Sequence, residues 1–147
     1  MEQCFFLSSK NLQFTSYLSD INEELINAYN VVKSKVEQLI TLLRDHETEY
    51  RKSPSEYYYQ LRANIKPLTE ERAAKFITLN KTCYGLYRVN SGGIFNVPIG
   101  RYKNPVICDS TNLKKVRIAL RDLELNYKQM ITRIYFLKRL EKMILYI

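Results

Sequence analysis

"FTSYLSDINEEL", Phe14 to Leu25, sets the fold class. Its first five residues, Phe14 to Leu18, are β-branched and aromatic and predict a short strand. A helix start follows at once. Ser19 or Asp20 can cap it, and Glu23 and Glu24 suit its positive N-terminal end. Ile21, Leu25, Ala28, Val32, Val36, Leu39 and Leu43 then recur at spacings of three and four. That period predicts an amphipathic helix of about six turns. A strand running straight into a long helix argues for part of an α/β domain.

His46 falls at the polar end of that helix and is expected to be exposed. Pro54, in "KSPSEYYYQLR", breaks the helix. Ser55 and Glu56 begin a second helix, through about Asn64, and Pro67 ends it. "LTEERAAKFITLNK" predicts a third, with Thr69 as its cap. From Tyr84 the helical period vanishes. Residues 84–108 hold Gly85, Gly92, Gly93, Gly100, Pro98 and Pro105. "LYRVNSGGIFNV" has two short β-prone runs around Asn90-Ser91-Gly92-Gly93, which predicts a hairpin with a four-residue turn. Asp109 or Ser110 starts another helix, "TNLKKVRIALRD", and "LELNY" offers a second strand. The tail from Met130 to Ile147 is apolar and basic. There is no internal repeat and no low-complexity segment.

The chain has 147 residues, enough for one domain with a core. Lys plus Arg number 23 against 15 Asp plus Glu, a net charge of +8. That excess fits an anionic partner, nucleic acid first and an anionic membrane second, and fits a merely solvated basic surface equally well. Cys4, Cys83 and Cys108 are far apart, and His46 is the single histidine, so no zinc-ligand spacing exists. No metal site is expected, and the thiols fit a reduced, cytoplasmic chain. "MEQCFFLSS" is too short and too acidic for a signal peptide, and no run of about 18 apolar residues predicts a membrane span.

Two constellations carry chemistry. Beyond the strand end in "YLSDIN", Asp20 is placed to accept both hydroxyl protons of a ribose, since ligands of open α/β sheets bind at the carboxyl ends of strands. The competing role for Asp20 is a plain helix cap. The second constellation is Lys81 to Lys103. It holds Lys81, Arg88, Arg101 and Lys103, no acid, and Tyr84, Tyr87, Phe95 and Tyr102 interleaved. Cations neutralise phosphates, Arg or an amide reads base edges, and aromatics stack on bases. The competing reading is a surface hairpin over a small aromatic cluster. The run "EYYYQLR", Glu56 to Arg62, points consecutive tyrosines in three directions on a helix and is read as packing. No catalytic set emerges: the chain has no GxGxxG, Walker loop or HExxH.

With these residues in place, "YLSDINEELINAYNVVKSKVEQLITLL", "YYYQLR" and "LNKTCYGLYRVNSGGIFNVPIGRYKNPVICD" resemble the Dam-type adenine-specific DNA methyltransferases over roughly residues 14–126. The string "GLYRVN", a glycine turn, then "FNVPIGRYKNP" is its most specific part. The resemblance implies a partial Rossmann-like α/β methyltransferase domain with a helical insertion and a DNA-binding β-hairpin. It implies methyl transfer from S-adenosylmethionine to the exocyclic amino group of an adenine flipped out of double-stranded DNA. It makes Asp20 the cofactor-ribose acid and Arg88 the base-reading arginine. Tyr84, Leu86 and Asn90 fall on the DNA-facing loop, and Arg101, Tyr102 and Lys103 lie against DNA backbone and target nucleotide.

The chain departs from the family pattern in three places. The family's glycine-rich cofactor turn is not matched, Cys4 to Leu7 resembling the helix that follows it. An Asn that the family carries between the positions of Tyr84 and Gly85 is missing. The catalytic "DPPY" is absent, so no residue here is assigned a catalytic role. Similarity fades near Met130, and "EKMILYI" read two nucleotides along can spell a strand of the kind that precedes "DPPY". A truncated or frameshifted gene is therefore expected, tested by sequencing the flanking DNA. The expected organisation is a partial cofactor-binding segment (1–50), a helical and hairpin target-recognition region (51–110) and a return helix and strand with a divergent tail (111–147). Alternative readings are a non-catalytic DNA-binding module, a subunit completed by a second polypeptide that carries the missing motifs, and a basic helical interaction protein.

Overall fold

The structure is a computed structural model that describes residues 17–18, 22–64, 67, 69–122 and 126–127. Among the described residues six elements follow in order: β1 (Tyr17–Leu18), α1 (Glu23–Lys52), α2 (Pro54–Ala63), α3 (Glu70–Thr82), α4 (Ser110–Asp122) and β2 (Asn126–Tyr127). β1 and β2 pair in parallel, Tyr17 opposite Asn126 and Leu18 opposite Tyr127. The last two residues of each expected strand are therefore paired, and the remainder of both, 14–16 and 123–125, lies outside the described residues. The described part of the domain is mostly helical, with these two short strands joining its ends.

α1 corrects the sequence reading twice. Its cap is Asn22, not Ser19 or Asp20: the Asn22 side chain accepts from the Glu24 and Leu25 amides at 3.0 and 3.4 Å. It also runs for 30 residues, well past Leu43, because Tyr50 extends the buried stripe of Val36, Leu39, Ile40 and Leu43 by one more period. Its end at Lys52 agrees with the break expected at Pro54. The helix is kinked at Lys35, whose φ of −134° and ψ of 39° are not helical. Arg51 and Lys52 sit in its last turn, where cations suit the negative end. Pro54 then occupies the opening of α2, where its missing N–H costs nothing.

α3 is the most enclosed element. Ala73, Ala74, Phe76, Ile77, Thr78, Leu79 and Thr82 are all buried. The Thr78 and Thr82 hydroxyls donate to the carbonyls of Ala74 and Thr78 at 2.8 and 2.7 Å, so neither is orphaned. Thr69 stands at the cap position, but its hydroxyl donates to the Pro67 carbonyl instead of capping α3. Its carbonyl receives the Asn27 amide at 3.0 Å, and Arg72 pairs with Glu24 at 2.8 Å, tying the start of α3 to α1. At α4 the expected cap holds, Asp109 accepting from the Asn112 amide at 2.9 Å.

One core joins these helices. α1 lies along α3 and then α4, and Leu39, Leu43, Leu79, Leu113, Val116 and Leu120 meet between them. Tyr58 of α2 and Phe95, Val97 and Ile107 of the long α3–α4 loop complete it. Each such fully buried side chain contributes roughly 1.5–3 kcal/mol.

Candidate nucleic-acid interface

The loop between α3 and α4 is built from its base outward. Cys83 and Ile99 form an antiparallel bridge. The Tyr84 amide donates to the Pro98 carbonyl at 2.8 Å, and the Gly100 amide to the Thr82 carbonyl at 2.7 Å. A Cβ on Gly100 would lie 2.9 Å from the Cys83 carbonyl and 2.4 Å from the Tyr102 ring, so only glycine permits this approach. Farther out, Val89 and Phe95 form a second bridge. The Asn90 amide donates to the Ile94 carbonyl and the Gly93 amide to the Asn90 carbonyl, both at 2.9 Å. Asn90 Oδ1 accepts from the Gly92 and Ile94 amides at 3.0 Å each, and Gly93 takes φ 73°. The expected hairpin is thus a tight reversal held by two isolated bridges, without a continuous ladder. One reason is that the Val97 carbonyl is taken by side chains of α2.

Beneath the reversal lies an aromatic stack. Tyr87 lies 4.5 Å from Phe95, centroid to centroid, at 16° between planes, and 4.7 Å from Phe76. Burial pushes the Tyr87 phenol up to about 12, Glu24 adding and Arg72 opposing. Tyr87 and Phe95 therefore leave the set expected to stack on bases. Tyr84 and Tyr102 stay in it, 70% and 51% exposed. Lys81 is half-buried, and desolvation lowers its ammonium pKa against the pull of Asp109, so it does not share the exposed face.

Tyr84, Leu86, Arg88, Asn90, Arg101, Tyr102 and Lys103 are all exposed on this one loop. Side chains alternate across extended backbone. Val89 and Phe95 share one side of the outer bridge, which leaves Arg88, Asn90 and Ile94 on the other. Asn90 is less free than the sequence suggests, because its Oδ1 holds the turn. The sequence reading missed the exposed apolar residues Val89, Ile94 and Val106. The alternation against buried Phe95 was the available signal for Ile94.

The tyrosine run divides three ways, as its helical spacing predicts. Tyr57 meets His46, Tyr58 is buried and donates to the Val97 carbonyl at 2.9 Å, and Tyr59 is exposed with the Arg62 guanidinium 4.8 Å from its ring centre. His46 is not the exposed residue expected. Its Nδ1 and the Tyr57 hydroxyl share a hydrogen bond, and desolvation lowers its pKa against Asp45 and Glu71. Together with Leu42, Gln60, Leu61, Asn64, Glu71 and Lys75 they line an open cleft of about 310 Å³ between α1, α2 and α3. The Lys75 ammonium in it donates to the Arg62 and Asn64 carbonyls.

Asp20 lies outside the described residues. With Asn22 as the cap of α1, the competing role weighed for Asp20 is filled by another side chain. Among the described residues no group of three or more His, Cys, Asp or Glu side chains could hold a metal ion. Cys83 and Cys108 are free thiols that burial pushes up in pKa. Among the described residues no helix is long and apolar enough to cross a membrane.

The loop thus presents exposed cations and aromatics around a hydrogen-bonded turn, with no Asp or Glu between Lys81 and Cys108. The sequence model of the D12 class N6 adenine-specific DNA methyltransferases matches residues 4–146, and the chain belongs to that family. That match takes in the tail beyond Met130. The chain is 43% identical over 131 residues to the Type II methyltransferase M.MjaIII of Methanocaldococcus jannaschii, covering 82% of this chain and 45% of that protein. It is 44% identical over 106 residues to the Type II methyltransferase M1.LlaDCHI of Lactococcus lactis subsp. cremoris, covering 67% and 36%. It is 43% identical over 101 residues to a DNA adenine methylase of Serratia marcescens, covering 65% and 36%. The chain thus spans less than half the length of these relatives.

Proposed function

We propose that this chain is the DNA-reading and cofactor-ribose part of an N6-adenine DNA methyltransferase with a Rossmann-like sheet, of which β1, α1 and β2 form a portion. The observation that carries this reading is the α3–α4 loop. Its exposed cations Arg88, Arg101 and Lys103 and exposed aromatics Tyr84 and Tyr102 sit on a reversal fixed by backbone bonds at both ends. Arg88 reads a base edge from the face it shares with Asn90, while Arg101 and Lys103 neutralise phosphates beside Tyr102. Leu86 and Tyr84 face the duplex.

S-adenosylmethionine supplies the methyl group in this family's chemistry. Asp20, two residues beyond the end of β1, would hold its ribose hydroxyls. The sequence "DPPY" does not occur in the 147 residues, so the acceptors that engage the adenine amino group come from elsewhere. These 147 residues thus supply duplex recognition and the ribose contact, and the amino-group acceptors are supplied by sequence outside them.

The test is a titration of duplex DNA at several salt concentrations, with a labelled-methyl transfer assay in parallel. Arg88→Ala is expected to weaken binding by about 1–3 kcal/mol if the contact is bidentate to a guanine. Absence of duplex binding at low salt would overturn the DNA reading. Methyl transfer by these 147 residues alone would overturn the assignment of the amino-group acceptors to sequence outside them.

A further inference from the structure

The tyrosine run of α2 is the one sequence motif that the DNA-reading surface does not itself use. Its geometry nevertheless leads back to that surface. The buried Tyr58 hydroxyl donates to the Val97 carbonyl at 2.9 Å. Arg62, one turn later on the same helix, donates from Nη1 to the same carbonyl at 3.1 Å and to the Asn96 carbonyl at 3.4 Å. Two side chains of one helix thus converge on the arm that returns from the turn, between Phe95 and Pro98. The Arg62 guanidinium is itself steadied by the face of Tyr59.

Val97 is also where the loop lacks strand partners. A buried carbonyl left unpaired there is destabilising. α2 therefore replaces the missing ladder. From Val97 the backbone passes through Pro98, whose carbonyl accepts from the Tyr84 amide, to Gly100, bonded to Thr82, and then to Arg101, Tyr102 and Lys103. A change in the position of Val97 is carried to those side chains within four to six residues of chain.

We infer that Arg62 and Tyr58 are positioning residues for DNA recognition: they set the returning arm of the reading loop through the Val97 carbonyl, and Arg62 itself does not contact phosphate. The inference rests on the DNA-reading role proposed for the loop.

The experiment uses the full chain with Arg62→Ala, Tyr58→Phe and the double variant. Tyr58→Phe keeps the buried ring and removes only the donor. Two readouts are taken on each: amide hydrogen exchange, peptide by peptide, and duplex affinity as a function of salt. Expected in Arg62→Ala is faster exchange across 95–103 with α1 and α3 unchanged, and about tenfold weaker binding with an unaltered salt slope. The double variant exceeds the sum of the single effects, because only then is the Val97 carbonyl left without a side-chain donor.

A salt slope reduced by about one makes Arg62 a direct phosphate contact and overturns the inference. Unchanged exchange across 95–103 in the double variant also overturns it. If the unmodified chain binds no duplex, the DNA reading fails, while the exchange result still decides whether α2 sets the loop.

Discussion

Gly100 shows how much one residue decides. Its amide bonds the end of α3, and a methyl group there would press on the Cys83 carbonyl and the Tyr102 ring. The ring can turn aside, but the carbonyl is backbone. Gly100→Ala should therefore lower stability by about 1–3 kcal/mol, read from chemical denaturation, and should weaken duplex binding through displaced Tyr102. At this scale the sequence was legible in kind more than in direction. Arg88, Arg101, Lys103, Tyr84 and Tyr102 are exposed as their composition suggests. Tyr87 and Phe95 look the same in a list of aromatics, yet one face of the reversal turns inward and stacks them on Phe76. Composition carries no information about which face that is until a buried partner is known. Asn90 likewise reads as a base-reading amide, and its Oδ1 serves the turn.

Among the elements, α1 carries the most of the fold. Leu39 and Leu43 are fully buried against α3 and α4. Leu39→Ala should cost about 2–5 kcal/mol, the larger part if the cavity cannot collapse, measured as a shift of the denaturant midpoint at constant slope. The first half of α1 was legible because its apolar residues keep the helical period. In the second half residues 44–49 are polar, and only the break at Pro54 marked where the helix ends. Tyr50 supplies the missing anchor only when its burial is seen. The same blindness made His46 look exposed. Its partner Tyr57 lies on another helix, and no local spacing links them. The side-chain partners of the Val97 carbonyl escaped notice for a related reason, since Tyr58 and Arg62 lie more than thirty residues upstream of it.

For the whole molecule, two conditions test the account. The first is pH. His46 is held below its ordinary value of 6.5 by burial. Above that value it is neutral in both states and contributes nothing to pH dependence. As pH falls from 6.5 towards the lower folded value, the unfolded chain takes up the proton first and stability declines, levelling once the folded imidazole is protonated too. Glu70, held below the usual carboxylate range by Lys35, loses its contribution only as pH falls below 4.5, a separate window. Urea midpoints measured between about pH 5.5 and 7.5 should therefore decline on acidification, and His46→Gln should flatten that segment. The second condition is salt. A net charge of +8 steers any duplex without sequence preference. If Arg101 and Lys103 each meet a phosphate, replacing both with Ala lowers the slope of log affinity against log salt by about 1.8, from two contacts at 0.9 each.

The break in α1 at Lys35 has a mechanical reading. It divides the helix into two rods, and the second, Val36 to Lys52, is 17 residues by count and about 26 Å long. That rod meets α2 through the His46–Tyr57 bond, and α2 in turn holds Val97. A bend of about 5° at the break swings the far end of the rod by about 2 Å. That travel is large on the scale at which the side-chain bonds to Val97 are made or lost. The kink at Lys35 thus fixes where the far end of α1 meets α2, and a short linkage of named side chains runs from there to the loop.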